Sequence, residues 1–230
     1  MPATHGDGRF ARGIPWIERG GRYYPRLGEL FTRVPAVVLY ILISVAFFLP
    51  TARRVPGNYV TDQDPVRHLF YAIPDLSERL GLALRSLFTA PFFNHNAVQL
   101  IYVIVLLLLF GIPFEYHEGW WRTILVFFAA SFAGAVSAGL LLHLIYPDMV
   151  DAPFLEQAWE RSWSGGSAGC FGIMGAMAAR APVPWPLLAL VVAWEATIVA
   201  VYLREYTPAF HMSAMVAGFL VARYLIPPRP

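Results

Sequence analysis

Two side chains in this sequence have the chemistry of acyl transfer. Ser167 stands in the run Gly165-Gly166-Ser167-Ala168-Gly169, and His211 stands near the start of the last apolar stretch. A serine hydroxyl becomes a nucleophile when a base takes its proton, and a neutral imidazole can take that proton and later return it to a leaving amine. Glycines around the serine allow close backbone approach, and a helix starting at Ser167 would offer unpaired N–H groups to an oxyanion. The bland readings stand beside these. Small residues also serve plain helix packing, and a histidine inside a bilayer also serves as a helix-to-helix hydrogen bond. The one cysteine, Cys170, lies in the same apolar run and reads as a small packing residue.

The elements that must position this pair follow from composition. The chain has 230 residues, 57% hydrophobic and 14% charged, too apolar for a soluble domain of this size, so the fold class is an all-α polytopic membrane protein. All seventeen basic residues are arginine, and a net charge of +2 gives no basis for a nucleic-acid partner. No histidine or acid cluster has metal-ligand spacing, and no cofactor is implied. Residues 1–33 read as a cytoplasmic basic arm with no apolar run long enough for a signal-peptide core. Residues 34–230 read as one membrane domain with six spans at about 34–50, 94–112, 124–146, 167–180, 183–203 and 209–226. Residues 51–90 form a long outer loop, either an amphipathic element at the interface or a solvated connector. Ten of the seventeen arginines then fall on the inner side, which places both termini in the cytoplasm. No internal repeat points to an inverted-repeat transporter.

Depth ties the serine to the histidine. Ser167 precedes Arg180, the inner edge of the fourth span, by thirteen residues, or about 20 Å of helix. His211 precedes Arg223 by twelve, or about 18 Å. Ala168, Gly172 and Ala176 repeat at four-residue spacing on the fourth span, as do Ala214, Gly218 and Ala222 on the sixth, so two small-residue faces can bring the helix axes close. Glu195, in the middle of the fifth span, comes out at the same depth. An acid there faces a water-filled cavity, binds a substrate, pairs with a partner subunit, or is buried in its protonated form.

These residues resemble the rhomboid family of intramembrane serine proteases over about Leu84 to Leu225. The family's Gly-x-Ser motif with Gly-Ala eight residues on resembles Gly165-Gly166-Ser167 with Gly175-Ala176. Its histidine followed by small residues at three, seven and eleven resembles His211, Ala214, Gly218 and Ala222, and its Glu-xxx-Gly-xx-basic signature resembles Glu115, Gly119 and Arg122. The resemblance implies a six-helix rhomboid-like bundle in a bacterial inner membrane, with Ser167 as nucleophile and His211 as general base and acid. It also implies Phe171 as the ring stacked on the histidine, and a transmembrane protein as substrate. In the second span, Asn94, Gln99 and Val103 stand where the family has His-x4-His-x3-Asn. Gln99 retains an amide donor, Val103 has none, and Asn96 lies near Gln99 on the helix and is a substitute candidate for the oxyanion. The alternative implied by these changes is a rhomboid-like protein without proteolytic activity, serving as a binding or structural subunit of a membrane complex.

Overall fold

A computed structural model of the chain describes residues 32–51, 64–202 and 206–227; all of the basic arm except Thr32 and Arg33 lies outside them, as does the start of the long loop. The regular secondary structure of the described residues is helical apart from one pairing of two-residue strands. In order they form α1 (Pro35–Thr51), α2 (Leu80–Thr89), α3 (Ala97–Glu118), α4 (Trp120–Ile145), α5 (Pro153–Glu160), α6 (Ser167–Arg180), α7 (Trp185–Tyr202) and α8 (Thr207–Leu220). Among the described residues, α3 and α4 are long and apolar enough to cross a membrane, and α1 and α7 contain shorter apolar helices. Their outward faces carry large apolar side chains such as Leu42, Ile101, Val105, Leu144 and Val192 in exposed positions. Such a surface suits a hydrocarbon solvent, and the protein is a membrane protein.

The bundle is closest-packed where α4, α6 and α8 meet. A Cβ at Gly218 would strike the Gly172 carbonyl, and one at Gly175 would strike the Met215 carbonyl. A Cβ at Gly134 would lie 2.8 Å from the Phe210 carbonyl, so α4 joins the contact as well. Ala176, Ala214 and Ala222 are buried beside these glycines. Without side chains between them, the helices approach to backbone contact and gain dispersion over their whole facing length.

Helix α3 runs past Ile112, where the sequence suggests a stop, because Pro113 is accommodated by a π-turn over Leu107–Gly111. There Ile112 N–H bonds the carbonyl of Leu107, five residues back. The helix ends at Gly119, whose φ of 91° is left-handed, and α4 follows at once. This extension carries Glu115 to the start of α1, where its carboxylate accepts the N–H groups of Ala36 and Val37, both at 2.7 Å. Those first-turn donors have no intrahelical partner, and Pro35 adds none. Nearby, Glu118 pairs with Arg122 and Arg180 at 3.2 Å each, and Arg180 also donates to the Ile226 carbonyl at 2.7 Å. One end of the bundle is thereby tied across four helices.

The described part of the long loop is ordered. Strand β1 (Tyr71–Ala72) pairs antiparallel with β2 (Ser162–Trp163), and α2 buries Ala83, Ser86 and Leu87 while exposing Leu80, Leu84 and Phe88 along one stripe. This is an amphipathic element with its apolar stripe outward.

If backbone contact holds α6 to α8, Gly218→Ala costs about 1–3 kcal/mol by overpacking and lowers the thermal unfolding midpoint in detergent. Gly81→Ala, where nothing lies within 4 Å of the added carbon, leaves stability unchanged or raises it by up to ~1 kcal/mol.

Candidate active site

Ser167 is the first residue of α6, and the loop before it is fixed on three sides. Trp163 lies in β2 and stacks on Phe210 of α8, with ring centroids 4.3 Å apart. Gly165 N–H donates to the Ala90 carbonyl at 3.0 Å. The Gln99 amide donates to the Ser164 carbonyl at 3.0 Å. Gly165 has a φ of 108°, and a Cβ there would strike the Gln99 amide nitrogen. Glycine is required on both counts. At Gly166 a Cβ would meet the Tyr40 hydroxyl, which instead donates to the Pro91 carbonyl. The cap residue Gly166 has no side chain, so no cap satisfies the first-turn N–H groups of α6. These amides are available beside the serine hydroxyl.

His211 sits in the first turns of α8, with its Nε2 2.9 Å from Ser167 Oγ. Phe171, one turn below Ser167 on α6, stacks on the imidazole at a centroid distance of 4.1 Å and an angle of 10°. The opposite ring nitrogen, Nδ1, lies 2.9 Å from Glu195 Oε1 on α7. Ser167, Glu195 and His211 are 9%, 4% and 6% exposed, so the three form a line of polar groups inside an apolar bundle. Glu195 therefore turns to the histidine, a partner that its sequence position does not name, while it also borders a cavity, one of the roles read for it from its depth.

The pair lies between two cavities. One of about 370 Å³ opens between α3 and α7 and is lined by Gln99, Tyr102, Trp194, Glu195, Ile198 and His211, among others. The other lies on the far side, toward Tyr71, Ser131, Ala135 and Phe210. Ser167, His211, Gln99 and Arg161 border both, and the Arg161 guanidinium also lies over the Trp163 ring at 4.7 Å. Tyr206, just before α8, donates to the Ala138 carbonyl at 2.7 Å, and burial pushes its phenol up to about 12, so it remains a donor at physiological pH.

The second-span residues divide. Gln99 borders the serine, but one amide proton is engaged by Ser164 and its carbonyl oxygen accepts His95 N–H at 2.6 Å, leaving one N–H. Asn96 is exposed and caps α3, its side-chain oxygen accepting Gln99 N–H at 2.9 Å. Val103 is fully buried against α6, its carbonyl 4.0 Å from Cys170 Sγ. Asn94 is buried with neither amide atom hydrogen-bonded. The contribution of Gly134 and the contact between Glu195 and His211 were absent from the sequence reading. Gly134 sits in a run of small residues in α4 that signals close packing, whereas nothing in the spacing of Glu195 names its partner.

A family model described as a rhomboid domain matches residues 82–228. No curated protein matches the chain.

Replacing Gly165 by alanine forces a β-carbon into a left-handed backbone and onto the Gln99 amide. The expected cost is about 1–3 kcal/mol, read as a lower thermal unfolding midpoint of the purified protein.

Proposed function

The chain belongs to the rhomboid family, and on that footing we propose that it is a membrane serine endopeptidase that hydrolyses a peptide bond in or near a transmembrane segment of a membrane-protein substrate. The observation that carries this reading is the buried 2.9 Å contact between Ser167 Oγ and His211 Nε2, with the imidazole held flat on Phe171. Ser167 Oγ attacks the scissile carbonyl carbon as its proton passes to His211 Nε2. The carbonyl π electrons move onto oxygen, and the resulting oxyanion faces the first-turn N–H groups of α6 and the remaining amide N–H of Gln99. Collapse breaks the C–N bond, and the proton on Nε2 goes to the leaving amine. Water then cleaves the acyl-enzyme by the same steps in reverse roles. The cavity between α3 and α7 supplies room for an extended substrate segment beside the serine.

For the setting, we take 34–230 as one membrane domain of six spans, preceded by the basic arm at 1–33. The arginine bias favours both termini on the cytoplasmic side, and we take the membrane, from the family resemblance, to be a bacterial inner membrane. A second reading, a binding or structural subunit without proteolysis, is favoured by how the two second-span amides are engaged. Asn96 serves as a helix cap and Gln99 has a single N–H to spare.

Labelling of the solubilised protein with a fluorophosphonate decides between them. The wild type is expected to label, Ser167→Ala, which lacks the oxygen that takes the phosphonyl group, is expected not to label, and His211→Ala is expected to label more slowly by on the order of 10⁶, as for loss of the base in serine proteases. A wild type that labels no faster than these variants refutes the protease. Gln99→Leu is expected to slow turnover of a transmembrane peptide substrate by about 10²–10³ with little change in KM, the loss of one oxyanion donor.

A further inference from the structure

We propose that Glu195 is a positioning residue that completes a Ser167–His211–Glu195 relay by holding the proton of His211 on Nδ1. The inference rests on the reading of Ser167 as nucleophile and His211 as its base. An isolated imidazole has two neutral tautomers, and only the one with a bare Nε2 can receive the serine proton. In the other, Nε2 carries hydrogen and donates to Ser167 Oγ, which leaves the hydroxyl unactivated. The Glu195 carboxylate lies 2.9 Å from Nδ1, on the side of the ring away from the serine. It accepts Nδ1–H and so fixes the productive tautomer. The ring has no freedom to turn away, because Phe171 covers one face at 4.1 Å and nearly parallel.

The same contact matters when charge appears. As Oγ bonds to the carbonyl carbon, the proton moves to Nε2 and the ring becomes a cation beside residues that are each less than a tenth exposed. A carboxylate already in place offsets that charge without reorganisation, while the Nδ1 proton stays on Nδ1 and Glu195 stays ionised. A carboxylate at this depth is otherwise hard to account for. Glu195 is 4% exposed in the middle of α7, and buried acids are costly unless paired. A protonated Glu195 would donate to Nδ1 and select the wrong tautomer, so the two states of the acid make opposite predictions.

The test uses the full chain in detergent, with the saturating rate and half-saturation concentration of fluorophosphonate labelling measured for wild type, Glu195→Gln and Glu195→Asp. Alongside, ¹⁵N-histidine spectra of the wild type read the tautomer of His211, its signals identified by their loss in His211→Ala. The expected result is a proton on Nδ1 in the wild type and a saturating rate about 10²–10⁴-fold lower in Glu195→Gln, at unchanged half-saturation, because the amide no longer enforces the tautomer. Glu195→Asp restores part of the rate, as a carboxylate on a shorter arm. A purely structural role would lower stability without changing the tautomer or separating the two kinetic constants. The inference is overturned if Glu195→Gln labels at the wild-type rate while Ser167→Ala does not label, or if the wild-type proton sits on Nε2. A wild type that does not label overturns the nucleophile reading as well.

Discussion

The contact of Gly218 with the carbonyl of Gly172 sets the geometry on which the rest depends. Ser167 lies five residues before Gly172 and His211 seven before Gly218, so each side chain stands about 7–11 Å along its helix from the contact. Two parallel helices pressed to backbone distance at that point leave no room for a third side chain between serine and imidazole higher up. Alpha-carbon proximity thus becomes a hydrogen bond of 2.9 Å. In a bilayer, where lipid tails compete equally with apolar side chains, such packing supplies much of the specificity that the hydrophobic effect supplies in water.

That contact would not suffice if the helices could splay or slide. At one end, Glu118 bridges Arg122 and Arg180, and Arg180 holds the carbonyl of Ile226 beyond α8. At the other, the loop before Ser167 is pinned to β1, to Ala90 and to Gln99. Of the polar groups in the second-span region, the Gln99 side chain is largely consumed by this pinning, whereas the amide of buried Asn94 has no partner. The Gln99 side chain ties the loop at 162–165 to the entrance of α3, and the site has one N–H left from it for chemistry. The first-turn amides of α6 gain weight as a result.

Much of this was legible in the chain because depth is encoded by counting. A small-residue run that opens at Ser167 and closes at Arg180 fixes both ends of a helix, and α6 spans those same residues. The likeness of depth between Ser167, His211 and Glu195 was equally countable. Rotation about a helix axis was not. Whether Glu195 faces lipid, cavity or histidine depends on how α7 packs, and its nearly uniform apolar sequence carries no periodic mark of a buried face. Likewise Pro113 reads as a break, and the π-turn that absorbs it leaves no signature in composition. Asn96 has a second role that its position also signals: it caps the helix three residues before Gln99 while lining the same cavity as Ser167 and His211.

The π-turn at Leu107–Gly111 has a meaning beyond accommodating a proline. An extra residue within a helix advances the phase of everything after it by about 100°. Upstream, α3 presents Gln99 to the serine loop; downstream, the same helix presents Glu115 to the start of α1. The turn acts as a phase adjuster between two faces that a regular helix would hold in a fixed relation. Sequence changes in one half can therefore be tuned to the reaction site while the other half stays in register with its neighbour, and a single-residue deletion between Leu107 and Gly111 would couple the two again.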